Sequence, residues 1–218
     1  MIYTGIYTDS EGKSVNVQVT DRESDEAIRN DFDELKRRYN PKYVTVKELA
    51  AKPGERLHLK ITVNAPSHYL TSPDDENPKS CCDMSFELVV YPGYPIKEVT
   101  AFYKPDYHLA SPNVFRSGDA CIDEWYVLKS SLVSVADKLI NDVIHNPNVT
   151  RYDSPANSDM IEWHKANCEK KLFPTITPSL LEADEQPALP ALPQRRQHTS
   201  VSDTAKTQPP SLPERRRP

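Results

Sequence analysis

A cysteine at position 121 sits in the segment Ser111-Pro112-Asn113-Val114-Phe115-Arg116-Ser117-Gly118-Asp119-Ala120-Cys121-Ile122-Asp123, with a tryptophan following at position 125. A cysteine does covalent chemistry as its thiolate, which must be reachable and must have neighbours that stabilise charge as it develops. Asn113 offers an amide, and Asp119 and Asp123 offer carboxylates on either side of the sulfur. Two well-known cysteine chemistries fit worse. A papain-type site wants a cysteine that starts a helix and a histidine on the opposite wall, and a phosphatase site wants an arginine six residues on, where Val127 stands. The other cysteines, at 81, 82 and 168, lack the spacing of zinc or redox pairs. Adjacent strand residues point to opposite faces, so 81 and 82 are badly placed to share one ion, and Cys168 reads as a small apolar residue on a helix. No metal or other cofactor is expected.

The elements that must position this segment are read from the spacing of apolar residues. Ile2, Thr4 and Ile6, then Val15, Val17 and Val19, alternate on either side of Asp9-Ser10-Glu11-Gly12, which predicts a hairpin over residues 1–20. Thr20 and Glu23 have capping-box spacing, and Ile28, Phe32, Leu35 and Tyr39 follow at helical intervals until Pro41. Three strands are predicted at Tyr43–Leu49, Leu57–Val63 and Met84–Val90, and a fourth at Ile96–Tyr103 beyond the turn Tyr91-Pro92-Gly93-Tyr94-Pro95. Their strict alternation leaves one face wet, so the sheet should be antiparallel. Val135, Ala136, Leu139, Ile140, Val143 and Ile144 make a broad helical stripe that ends before Asn146-Pro147, and a last helix is expected from about Pro155 to Lys171. The fold class is therefore α+β, a four-stranded antiparallel meander flanked by helices, with the hairpin most simply extending the sheet edge. The stretch of about 104–130 is the long irregular connection, where binding and catalytic residues concentrate.

Composition sets the outer bounds. Of 218 residues 20 are proline and five glycine, and the 45 residues from Pro174 onward hold nine of the prolines with no aromatic residue or cysteine. Such a segment cannot bury enough apolar surface to offset the entropy of ordering, so residues 174–218 are expected to be a disordered tail and 21–173 the folded domain. A core of that size buries roughly 70% of the surface its unfolded chain exposes and needs neither disulfide nor metal. The net charge is −5, and because the tail carries six basic and five acidic residues, the remainder stands at −6. An acidic body argues against a nucleic-acid binder. With no apolar run near the ~20 residues that span a bilayer and no secretion-signal pattern, no membrane partner is expected and the compartment is expected to be cytoplasmic.

The segment resembles the active-site stretch of ubiquitin-conjugating enzymes, in which a His-Pro-Asn is followed eight residues after its Asn by the thioester-forming cysteine, with a glycine three before that cysteine. Asn113, Gly118 and Cys121 match this spacing. The resemblance covers about residues 24–170 and includes the order of elements and the Tyr91–Pro95 turn. The chain departs from the pattern at Ser111, which replaces the histidine, at Glu98-Val99, which replaces a second proline pair, in the short stretch between Cys121 and Trp125, and in residues 1–20, which have no counterpart in the minimal fold. It is similar to a divergent, prokaryotic kind of member.

What the resemblance implies is an acyltransferase without cofactors. Cys121 would carry the carboxyl terminus of a ubiquitin-like modifier as a thioester, received from an activating enzyme and passed to an amine of a protein substrate. Asn113 would donate to the thioester oxygen or brace the loop that does, and Ser111, through backbone hydrogen bonds, would stand in for the histidine beside Pro112. Asp119, Asp123 and Asp153 would orient the incoming lysine and help it lose a proton. Partners, including a ligase, would dock on the first helix, on Ile96 and Lys97, and on Tyr126 to Leu128. The same resemblance is compatible with a catalytically inactive adaptor that binds a modifier or ligase. In the tail, Pro190-Ala191-Leu192-Pro193-Gln194-Arg195 and Pro210-Ser211-Leu212-Pro213-Glu214-Arg215 both resemble SH3-domain ligands, against a plain flexible tail as the alternative.

Overall fold

The hairpin and the first helix meet at Thr20. Strands β1 (Ile2–Thr8) and β2 (Ser14–Thr20) pair antiparallel from Ile2 opposite Thr20 to Thr8 opposite Ser14, and α1 (Asp21–Arg38) starts at the next residue. The expected capping box is present: the Glu23 amide donates to Thr20 Oγ1 at 3.3 Å and the Thr20 amide donates to the Glu23 carboxylate at 2.8 Å. It satisfies amides that have no partner in a helix's first turn. The computed structural model describes residues 1–8, 13–72, 74–122, 130–173 and 181–183. Asp123, Trp125, Tyr126 to Leu128, residues 174–180 and the tail from 184 onward, with both proline-rich repeats, lie outside the described residues.

The architecture is α+β with antiparallel sheets and, among the described residues, three helices. The main sheet runs β3 (Val44–Leu49), β4 (Leu57–Val63), β7 (Met84–Val90), β8 (Thr100–Phe102) in that spatial order. A second sheet, not foreseen in the sequence, orders β6 (Lys79–Cys81), β5 (Ser67–Leu70) and β9 (His108–Leu109). It brings the irregular connection into register, because Tyr69 faces Leu109 and the Ala110 amide donates to the His68 carbonyl at 3.0 Å. Helices α2 (Leu132–Val143) and α3 (Met160–Glu169) follow. No helix among the described residues is long and apolar enough to cross a membrane.

The main core joins the main sheet to α1 and α2, while Met160 of α3 packs with Leu70 of β5 and Ala110 in a smaller cluster of its own. Leu59, Ile61, Val63, Met84, Phe86, Leu88 and Val90 from the sheet pack with Ile28 and Leu35 of α1 and Leu132, Ala136, Leu139 and Val143 of α2. Each such large side chain contributes about 1.5–3 kcal/mol on leaving water. The core reaches beyond residue 173. Leu181 is buried in it, the Asn40 amide donates to the Leu181 carbonyl at 2.8 Å, and Glu182 forms a bridge with Tyr39.

Three expectations are corrected. The hairpin does not extend the edge of the main sheet; it is a sheet of its own. Its face rather than its edge is used: Tyr3 lies against Gly93 and Ile96 against Gly5, each glycine leaving the space its partner fills. The fourth strand begins at Thr100, not Ile96, because the amides of Ile96 and Lys97 both turn back to the Gly93 carbonyl, at 2.8 and 3.1 Å. The last helix begins at Met160, not Pro155, because the amides of Ala156 and Asn157 are spent on the Pro112 carbonyl at 2.8 and 3.0 Å.

Candidate functional site

Residues 113–121 form a tight reversal laid against β8. The Cys121 amide donates to the Asn113 carbonyl at 2.8 Å, Phe115 to Asp119 at 2.8 Å, and Gly118 to Phe115 at 2.9 Å. The returning limb is tied to the main sheet, since Tyr103 donates to the Gly118 carbonyl at 2.8 Å and Ala120 to the Ala101 carbonyl at 2.9 Å. Gly118 makes the turn possible. Its φ is +93°, and a Cβ there would lie 2.8 Å from the Tyr103 carbonyl oxygen. An L side chain is strained at that φ and sterically excluded at that distance.

The reversal is gripped from a second side by residues 156–159. Besides the two amides on the Pro112 carbonyl, Arg116 forms a hydrogen-bonded ion pair with Asp159. Phe115, at the tip of the reversal and 44% exposed, is a large apolar side chain presented to the surface, a feature that its position in a polar stretch did not announce. Cys121 itself is half-buried, and its thiol is free, as are those of Cys81, Cys82 and Cys168. Burial raises the Cys81 and Cys168 thiols above the usual range. Among the described residues no group of three or more His, Cys, Asp or Glu side chains could hold a metal ion.

Asn113 and Ser111 are both buried and turned inward. The Asn113 amide nitrogen donates to Asp142 Oδ1 at 3.2 Å and to the Val149 carbonyl at 3.1 Å, while its oxygen accepts from the Arg151 amide at 3.1 Å. Both amide hydrogens are used, so in this arrangement the side chain ties the reversal to α2 and to residues 149–151. Ser111 accepts from the Asn113 amide at 3.1 Å, the backbone contact foreseen for it, and also donates to Asp142 Oδ1 at 2.8 Å.

Asp142 was missed in the sequence. It is fully buried in α2, and a buried carboxylate is costly unless hydrogen-bonded. The signal was available: Asp142 falls seven residues after Val135 and three after Leu139, on the apolar face that the 3.6 period defines, so an acid there required a buried partner.

Asp119 is exposed and its carboxylate accepts from Ser117 Oγ at 2.7 Å. Asp153 is exposed and pairs with Arg151 Nε at 3.5 Å. Asp123 lies outside the described residues, as does Tyr126. Lys97 is exposed, whereas Ile96 is half-buried beneath the hairpin at Gly5. The turn holding Ile96 is anchored by Tyr94, whose hydroxyl hydrogen-bonds Asp31 of α1 and accepts from the Leu132 amide of α2 at 2.8 Å. The arrangement thus presents one thiol at the base of a rigid reversal, with an exposed aromatic at its tip and a buried polar network behind it. No family model matches the chain, and no curated protein matches it.

Proposed function

We propose that the chain is a divergent member of the ubiquitin-conjugating family that carries a ubiquitin-like protein as a thioester on Cys121. The observation that supports this reading is the reversal itself: Asn113, Gly118 and Cys121, spaced as in that family, are the brace, the turn residue and the half-buried thiol of one hydrogen-bonded unit. In this reading the Cys121 thiolate attacks the activated carboxyl carbon of the modifier and expels the activating enzyme's thiolate. A substrate amine then attacks the same carbon, an amide bond forms, the amine's proton passes to solvent or a carboxylate, and the Cys121 thiolate leaves. The fold is then a variant of the family's catalytic domain, the activating enzyme, a ligase and the substrate protein are its partners, and the tail repeats are candidate SH3-type ligands.

A second reading, an inactive adaptor that keeps the fold to bind a modifier or ligase, is favoured by the full engagement of the Asn113 amide, which leaves no donor for a thioester oxygen in this state. One experiment separates the two. Incubation with an activating enzyme, ATP and a ubiquitin-like modifier, followed by a non-reducing gel, should give an adduct that thiol removes and that Cys121→Ala abolishes. Modifier binding without any such adduct would favour the adaptor.

A further inference from the structure

Helix α2 carries a second polar residue toward the reversal, one turn before Asp142. Lys138 donates from its ammonium to the backbone carbonyl of Cys121. Residues four apart lie on one helix face about 6 Å apart along the axis, so one face of α2 reaches both limbs: Lys138 the returning limb at Cys121, Asp142 the outgoing limb at Ser111 and Asn113. We propose that Lys138 and Asp142 are a pair of positioning residues that hold the peptide of Cys121 from both sides.

The contacts close a ring. The Cys121 carbonyl is held by Lys138 and the Cys121 amide by the Asn113 carbonyl at 2.8 Å; Asn113 is held through its side chain by Asp142; and Asp142 is joined to Lys138 by one helical turn. With both backbone groups fixed, rotation about χ1 is the main freedom left to the sulfur. The pair is not explained by what α2 itself needs. An acid in a last helical turn opposes the macrodipole, lysine before acid at this spacing is the weaker order, and burying the carboxylate carries a further desolvation cost. What compensates is the loop, through the donors on Asp142 Oδ1 and the acceptor at Cys121. Neither side chain is placed here as touching the sulfur, so their role is to present it, and that consequence rests on the reading of Cys121 as the acyl carrier.

The test is hydrogen exchange of the full-length chain, comparing the amide of Cys121 with those of Leu57–Val63 in the central strand. In Lys138→Met and in Asp142→Asn, exchange at Cys121 should quicken by about tenfold, the scale of one charge-assisted hydrogen bond, with the central strand unchanged. Lys138→Arg, which keeps a cationic donor, should restore protection to within about twofold of the parent. Unchanged exchange at Cys121 in both variants overturns the proposal, and so does a parallel rise in the central strand, which marks general destabilisation. The readout needs no modifier. If the parent protein never forms a thioester, the conjugating function falls while the clamp is judged on exchange alone; if it does, both variants should load Cys121 more slowly and Lys138→Arg should recover the rate.

Discussion

Gly118 and Gly54 share nearly the same backbone, with φ of +93° and +91°, but differ in what surrounds them. At Gly54 an added Cβ would find nothing within 4 Å, and at Gly118 it would meet the Tyr103 carbonyl oxygen at 2.8 Å. Gly54→Ala should therefore cost only the backbone strain of about 1 kcal/mol, and Gly118→Ala about 2–3 kcal/mol, measured as a shift of the urea midpoint at constant slope. Equal costs would mean that the return limb gives way without penalty, and the reversal could not then be the rigid support described for Cys121. At this scale the spacing of Asn113, Gly118 and Cys121 singled out a segment that folds as one reversal, with Gly118 at a position few residues allow. It was silent on direction. Nothing in a Pro-Asn pair tells whether the amide faces the sulfur or the interior, since that depends on Val149, Arg151 and Asp142, which lie about thirty or more positions away.

Among the elements, α3 is held by an unusual contact. His164 of α3, His145 just after α2 and His68 of β5 meet with Trp163 and Phe173: His68 Nδ1 and His145 Nε2 are 3.2 Å apart, and the His145 ring stacks on Phe173 at 4.0 Å between centroids. His145 and His164 are buried, at 3% and 0% exposure. Burial drives both imidazoles toward the neutral form, His164 to about 4 and His145 well below 6.5, with the neighbouring histidines adding to the effect on His145. A group whose folded pKa is depressed below its unfolded value favours folding above the unfolded pKa, and that contribution is lost as pH falls. Between pH 6.5 and about 4, stability should decline by up to about 1.4 kcal/mol per pH unit for each buried imidazole, an acid sensitivity that His164→Gln should reduce. Urea titrations at pH 7, 6 and 5 measure it, and a flat profile would show that the cluster takes up protons without strain. The loosened element would be the one led into by residues 156–159, which hold the Pro112 carbonyl and Arg116. None of this was legible beforehand, because three histidines scattered over nearly a hundred positions converge only through the second sheet. Elements with a clear period were placed within a few residues; those set by long-range contacts, such as the late start of α3 and the separate hairpin, were not.

For the whole molecule, the hairpin changes what the surface offers. The resemblance assigns Ile96 to partner docking, yet here Ile96 rests beneath Gly5 while Ile2 and Ile6, 63% and 74% exposed, stand on the outer face of the hairpin among Thr4, Asn16 and Gln18. A partner reaching Ile96 has to displace the hairpin or engage it. The order of elements carried the fold class because local alternation and helical spacing are properties of short windows, whereas the hairpin's seat depends on two glycines and two side chains far apart in the chain. The proposed acyl-carrier role of Cys121 decides between the two readings. It is tested most directly by recovering the full-length protein from its own cells under acidic, non-reducing conditions and measuring its intact mass before and after thiol treatment. A thiol-labile mass increment of the size of a small protein, mapped to Cys121 and absent from Cys121→Ala, is expected. A chain that shows only its own mass while the modification machinery of those cells is active, or an increment that maps to Cys81, Cys82 or Cys168, would contradict it.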